Sequence, residues 1–521
     1  MYRSHLAKTL RLAVAVTMLA TTLAFGLSTP ANAQVTVDGA GSTWSQIAVD
    51  QWRADVARQG VTINYQGVGS TAGRVAYYQG QVDFAVSEIP FQTGADSGGV
   101  DEVQAASGRP FAYLPIVAGG TAFMYQLVVG GERVEGLRLS PNTVAKIFTG
   151  EITNWNDPQI AADNRGRQFP SLTIKPVIRS DGSGTSAQFT AFMAAKTPDV
   201  WNAFCQRAGL GGTCQPTSLY PNPPGAGFAA QQFSDGVANF VAAPFNNGAI
   251  TYVEYGYAKE RGFPVASVLN SAGFFIQPTA QAVSIALQGA AINPDGTQIL
   301  DGVYNSPDSR SYPVSSYSYM IVPTTETAPF SAAKGTALGN YITYFLCAGQ
   351  QKAEQLGYSP LPRNLVEVGF AAMTRIPGAP APPALSDCAN PTVTGDFITG
   401  AAPPPPAEDA VGDTTGGGAA GPGGGAAGGP AGAGGVTAGG AAAGGGATPL
   451  ITESATGTVY DDLLGGGSVA GGTTLATARS VEGAGAGDLP MLLYVLIVLV
   501  AFGAVFGIPA LSMALDRKRQ T

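Results

Sequence analysis

Histidine is nearly missing from this chain. Its 521 residues include one, His5, and that one falls in a segment that reads as a removable leader. The mature chain then has no imidazole for a Ser-His-Asp triad, a histidine metal site or a histidine general base. Cationic side chains are scarce as well: 27 Lys and Arg stand against 35 Asp and Glu, for a formal charge of -8. With no basic stripe there is no electrostatic footprint for nucleic acid. Any anion must be captured by local backbone donors and one or two arginines, against the overall field. There are only four cysteines, Cys205, Cys214, Cys347 and Cys388. In an exported chain without histidine they point to two disulfides rather than a metal site. Three connectivities are open. Pairing Cys205 with Cys214 and Cys347 with Cys388 is preferred, because it closes one local loop and ties down the C-terminal end of the domain. Large apolar groups are also sparse from residue 403 to about 488, where Gly and Ala dominate. Such a stretch cannot offset its ordering entropy and reads as a disordered Gly/Ala/Pro tether over 391–488. As a coil it would span roughly 50 Å.

What is present begins with Arg3, Lys8 and Arg11, an apolar run over 12–27, and Ala31-Asn32-Ala33 before Gln34. Together they make a secretory signal peptide over 1–33. Residues 491–515 are apolar throughout and are followed by Asp516-Arg517-Lys518-Arg519. That run exceeds the ~20 residues that cross a bilayer. It predicts one transmembrane helix over 489–515, a cytoplasmic basic tail over 516–521, and a domain on the extracellular face of the plasma membrane. Between leader and tether, Trp44, Ile47, Ala48 and Trp52 recur at helical spacing, while Val82-Asp83-Phe84-Ala85-Val86 reads as a strand. This alternation is an α/β rhythm. Two extended stretches, 121–129 and 315–322, read as crossovers between a first lobe (34–118 plus 313–390) and a second (119–312).

Three short segments rich in glycine and hydroxyls each stand before a helical pattern: Gly39-Ala40-Gly41-Ser42-Thr43-Trp44, Gly67-Val68-Gly69-Ser70-Thr71, and Arg179-Ser180-Asp181-Gly182-Ser183-Gly184-Thr185-Ser186. Glycine lets backbone N–H groups turn toward a ligand, and Ser or Thr caps the helix. The positive end of the helix dipole then favours an oxyanion. Any one such loop is commonly an ordinary turn; three of them with Arg179 point to a small tetrahedral anion. Arg179 offers a planar pair of donors that lysine cannot copy, and it can also pair with Asp181. Glu88, after the strand that follows the second loop, is either a solvated loop residue or an acceptor for a proton on the ligand. Phosphate keeps such a proton near neutral pH and sulfate does not. A phosphatase with Asp181 as nucleophile is disfavoured, because there is no second aspartate in D-x-D spacing, no histidine and no metal cluster.

In this order, together with Ile250-Thr251-Tyr252-Val253-Glu254-Tyr255-Gly256-Tyr257-Ala258-Lys259, the segments resemble the phosphate-binding protein of the high-affinity phosphate ABC transporter. The resemblance covers roughly residues 35–375. It implies a two-lobed type II periplasmic-binding-protein fold with inorganic phosphate as ligand, permease subunits as partners, no cofactor, no enzymatic activity, and a monomer. Its binding positions carry over as Thr43, Trp44 (where the family usually has Phe, acting through its backbone N–H), Ser70, Arg179, Ser183, Gly184 and Thr185. Asp181 matches the aspartate that supports the arginine. Glu88 stands where the family has Asp, one methylene longer. The leader lacks a lipobox cysteine, so anchoring falls to the C-terminal helix. Another oxyanion or a phosphate ester on the same scaffold, and a surface scaffold or adhesion protein, are the competing readings.

Overall fold

Short runs of apolar residues broken by glycine turns build one mixed sheet that runs through the whole domain. Its strands are β1 (Thr36–Gly41), β2 (Thr62–Gly67), β3 (Phe84–Ser87), β4 (Phe111–Tyr125), β5 (Lys175–Arg179), β6 (Ala229–Gln231), β7 (Ala249–Glu254) and β8 (Ser315–Pro323). The spatial order is β2-β1-β3-β8-β4-β7-β5-β6. The computed structural model describes residues 35–94, 99–211, 214–394, 404–406 and 409–410. The expected leader, membrane helix, basic tail and nearly all of the tether lie outside the described residues. Contacts divide the chain into Met1–Ala420 and Gly421–Thr521, and every described residue falls in the first unit. Among the described residues no helix is long and apolar enough to cross a membrane.

The sheet has two halves, each built of parallel strands. In the first, β1 pairs in parallel with β2 and β3, as expected where helices return the chain to the same edge. In the second, β7 pairs in parallel with β5, and β5 with β6. The halves are joined by β4, the longest strand. Its residues from Phe111 to Gly120 pair antiparallel with β8, and those from Thr121 to Tyr125 pair antiparallel with β7. The change of partner falls at Gly119 and Gly120. A Cβ on Gly119 would stand 2.7 Å from the Trp44 ring, and one on Gly120 would stand 2.6 Å from Pro278. Side chains are thereby excluded where the two halves meet.

Helices pack on the sheet. α1 (Gln46–Ala57) follows β1 and buries Ala48, Val49, Trp52 and Val56. α2 (Ser70–Tyr78) follows β2, and α3 (Gly184–Lys196) follows β5. α4 (Phe233–Ala242) follows β6, and α5 (Tyr255–Glu260) follows β7 directly. α6 (Ala332–Leu346) packs on α1, with Trp52 stacked on Phe345 at 5.4 Å and the Trp52 indole N–H donating to Gly349 O at 2.9 Å. In the other half, Phe189 of α3 meets Phe123, Phe148 and Tyr252, an aromatic cluster under the sheet.

Two disulfides are formed, Cys205–Cys214 and Cys347–Cys388. The second ties the end of α6 to the segment that leaves the domain. Further along, Asp409 and Ala410 lie against a separate three-stranded sheet: Asp409 pairs with Arg138, and Ala410 forms a β-bridge with Phe274.

Candidate anion-binding site

The three glycine segments occupy three strand-to-helix turns where the two halves of the sheet face each other, β1 and β2 ending there from one side and β5, which runs the opposite way, from the other. They touch through their glycines. A Cβ on Gly73 would stand 2.3 Å from Gly41 Cα, and one on Gly69 would stand 2.6 Å from Asp181 Oδ2. Gly69 also has a φ of 87°, a conformation that favours glycine. A Cβ on Gly184 would stand 1.9 Å from Glu88 Oε2 and 2.7 Å from Ser70 Oγ. Small residues here let backbone approach backbone, and backbone approach carboxylate.

Ser70, Glu88 and Gly184 form the centre. Ser70, the first residue of α2, donates its hydroxyl to Glu88 Oε2 at 2.8 Å, and its Oγ accepts from Gly184 N at 3.1 Å. Glu88 is fully buried. Its Oε1 accepts from Ser318 Oγ at 2.6 Å, and its backbone carbonyl accepts from Gln188 Nε2 at 2.7 Å and Gln298 Nε2 at 3.2 Å. Each carboxylate oxygen thus has one hydroxyl donor and retains lone pairs to accept another. At the start of α3, Ser183 caps the helix by accepting from Ser186 N at 3.2 Å. The next hydroxyl, Thr185 Oγ1, is buried without a partner. An unpaired buried hydroxyl beside a helix N-terminus is a donor available to an anion.

Arg179, the last residue of β5, is 3% exposed. It forms a two-pronged pair with Asp181, Nε to Oδ1 at 2.7 Å and Nη2 to Oδ2 at 2.5 Å. Nη1 points the other way and donates to Ser234 Oγ at 3.3 Å. Ser234 also shares a hydroxyl contact with Thr43 Oγ1 at 2.9 Å, so Arg179, Ser234 and Thr43 form a second hydroxyl and guanidinium group. The preceding residue, Phe233, has a φ of 62°, rare for a bulky side chain. That twist aims Phe233 N at Asp181 Oδ1 (2.9 Å) and Ser234 N at Thr43 Oγ1 (3.2 Å). Tyr252 sits behind Arg179, accepting from its backbone N–H at 3.2 Å; burial pushes this phenol up to about 12.

Trp44 stands apart from the rest. Its backbone N–H donates to Ser42 Oγ at 3.0 Å, and its ring packs edge-on against Tyr358 with centroids 5.7 Å apart. Beneath the centre, Arg74 of α2 pairs with Glu102 at 2.8 Å and donates to Ser87 Oγ at 3.2 Å, both ionic partners being buried. This pins the helix that carries Ser70 to the strand that delivers Glu88. Ser234, Ser318, Gln188 and Gln298 were not singled out by the sequence. A lone serine carries no local signal, although the alternating Ser and Tyr of β8, buried at every position, did hold one for Ser318. Among the described residues no group of His, Cys, Asp and Glu is arranged to hold a metal ion.

Comparison with known proteins fits this geometry. The model of the PBP superfamily domain matches residues 28–348. The chain is 30% identical over 342 residues to the phosphate-binding protein PstS2 of Mycobacterium bovis (strain BCG / Pasteur 1173P2), covering 64% of this chain and 86% of that protein. It is 30% identical over 350 residues to the phosphate-binding protein PstS of Xylella fastidiosa (strain Temecula1 / ATCC 700964), covering 65% and 86%. In fold it is similar to a high affinity periplasmic phosphate-binding protein solved with bound phosphate, with a TM-score of 0.50 at 22% identity over 65% of this chain and 93% of that one. It is also similar to a human phosphate binding apolipoprotein, with a TM-score of 0.50 at 21% identity over 67% and 100%.

Proposed function

Since the chain belongs to the PBP superfamily and, within it, to the phosphate-binding proteins, we propose that it captures inorganic phosphate between the two halves of its sheet and presents it to the permease of an ABC transporter. The single observation that carries the ligand is Glu88, a fully buried carboxylate at the centre of a set of anion donors. An acceptor among donors suits an oxyanion that brings its own proton and repels one that does not. Around it, Ser70, the Gly184 N–H, Thr185 Oγ1, Thr43 and Arg179 supply the donors, Ser183 and Trp44 shape the turns that present them, and Asp181 orients the guanidinium. The lobes are 34–118 with 313–390, and 119–312; β4 and β8 are the hinge strands, and closure brings the three turns together. The leader pattern over 1–33 and the apolar run over 491–515 support a domain outside the plasma membrane, tethered by a helix at 489–515. The role is binding and delivery, with no bond made or broken.

Titration calorimetry of the protein with phosphate and with sulfate tests this. Phosphate binding without a sulfate response is the expected outcome. Glu88→Gln should weaken phosphate by about tenfold or more, the scale of a lost charge-assisted hydrogen bond, and narrow the discrimination against sulfate. Folded protein that ignores phosphate would send the reading to another oxyanion or a phosphate ester.

A further inference from the structure

The segment from Ile250 to Lys259 enters the site as built so far only through Tyr252, behind Arg179, yet its centre holds an unusual carboxyl. Glu254 ends β7 and is fully buried. Its Oε2 caps α5 by accepting from Gly256 N at 2.7 Å, while Oε1 has no formed partner. The residue opposite it on β4 is Thr121, whose hydroxyl is also buried and unpartnered. Gly256 lets the chain close over this point, since a Cβ there would stand 2.6 Å from Leu356 O and 2.7 Å from Glu254 Oε2. The groups that act on the carboxyl are the backbone N–H groups of Gly256 and Tyr255, the Tyr358 hydroxyl from the opposite half, and the charge of Glu260 on α5, which has the same sign. The phenols of Tyr255 and Tyr257 also lie close enough to feel it. No cation is among these groups, and burial pushes Glu254 well above the usual carboxylate range.

Two hydroxyls beside Glu254 reach the first glycine segment. Tyr257 donates to Thr43 O, and Tyr358 donates to Trp44 O at 2.5 Å. Tyr358 also interacts with the Glu254 carboxyl. A phenol has one proton to give. An ionised Glu254 would draw that proton away from Trp44 O; a protonated Glu254 can donate to the Tyr358 oxygen and leave the phenol proton on Trp44 O. We propose that Glu254 is a positioning residue that carries a proton at neutral pH and, through Tyr358, fixes the Thr43-Trp44 backbone for anion capture. This rests on the phosphate reading of that loop.

The test uses the full chain and orthophosphate. Affinities of the parent, Glu254→Gln, Glu254→Leu and Tyr358→Phe are measured from about pH 6 to about pH 9.5 and expressed as ratios to the parent at each pH, so that titration of phosphate itself cancels. Unfolding midpoints are taken on the same samples without phosphate. At low pH, Glu254→Leu and Tyr358→Phe should each bind about tenfold more weakly, and Glu254→Gln, which keeps a donor but cannot ionise, within about twofold of the parent. As pH rises, Glu254→Gln should overtake the parent by about fivefold or more. The parent's midpoint should fall relative to Glu254→Gln over the same range, because a raised carboxyl pKa contributes stability that is lost as pH climbs through it. A Gln-to-parent ratio that stays constant with pH, or a folded Glu254→Gln that fails at low pH, overturns the proposal. A parent that binds no phosphate at any pH overturns the phosphate reading and the link to capture, and the midpoints then decide separately whether Glu254 holds its proton.

Discussion

Gly184 is the residue on which the site is least forgiving. Its N–H is a donor to Ser70, and its missing side chain leaves room for Glu88: the added methyl of Gly184→Ala would stand 1.9 Å from the carboxylate oxygen. Gly184 has ordinary helical backbone, so the variant should still fold, but with Glu88 displaced: overpacking should cost about 1–3 kcal/mol of stability, and phosphate affinity should fall about a hundredfold or more. Calorimetry beside thermal unfolding separates the two effects. Arg179→Lys is the complementary probe. Lysine keeps the charge but cannot engage Asp181 with two prongs and Ser234 with a third donor, so affinity should drop although the charge is conserved.

At the scale of elements, the site depends on how α2 and β3 are held to each other. Arg74 and Glu102 are both buried, and Arg74 also reaches Ser87 at the end of β3. Glu102→Gln would leave a guanidinium buried against a neutral group, with an expected loss of about 3–5 kcal/mol in urea unfolding. Another clamp joins α1 to α6 and the turn after it. Burial alone would raise the carboxyl of Asp55, but hydrogen bonds from Lys352, Tyr344, Gln51 and Arg58 outweigh it and hold the group down at about 2. Its contribution is therefore complete above about pH 4 and lost as pH falls toward 2, and Asp55→Asn should flatten that part of the stability profile. The three turns were legible in the sequence because glycine, hydroxyl and helix start are local signals. Their mutual contacts were not. Ser234 comes from the first turn of α4, next to a strained Phe233, and Ser318 from a strand more than 200 residues from Glu88 in the chain; only the packed fold brings them in. The α/β rhythm and the extended stretch at 315–322 appear as read, while β4 starts earlier than its expected stretch, at Phe111, and ends at Tyr125. Buried on nearly every residue, β4 shows no two-residue alternation from which its start could be read.

Across the whole molecule, the described part of the Pro-rich segment returns through Asp409 and Ala410 to Arg138 and Phe274, which lie outside the eight-stranded sheet, while the Cys347–Cys388 bridge fixes the chain to the first half just before it. Arg138→Ala should free the later contact and leave the bridge intact. Proteolysis near residue 409 should accelerate, with phosphate affinity altered little, because the partners of Arg138 are Asp409, Asn164 and the Phe275 ring, outside the three turns. The meeting of the halves has a further consequence. Trp44 lies against Gly119 at the point where β4 exchanges one partner for the other, in the turn between β1 and α1. Any rotation of one half against the other changes what touches that indole. The protein thus carries its own optical gauge: Trp44 emission should report occupancy in real time without an attached dye, and Trp44→Phe should silence the signal while the cleft continues to open and close.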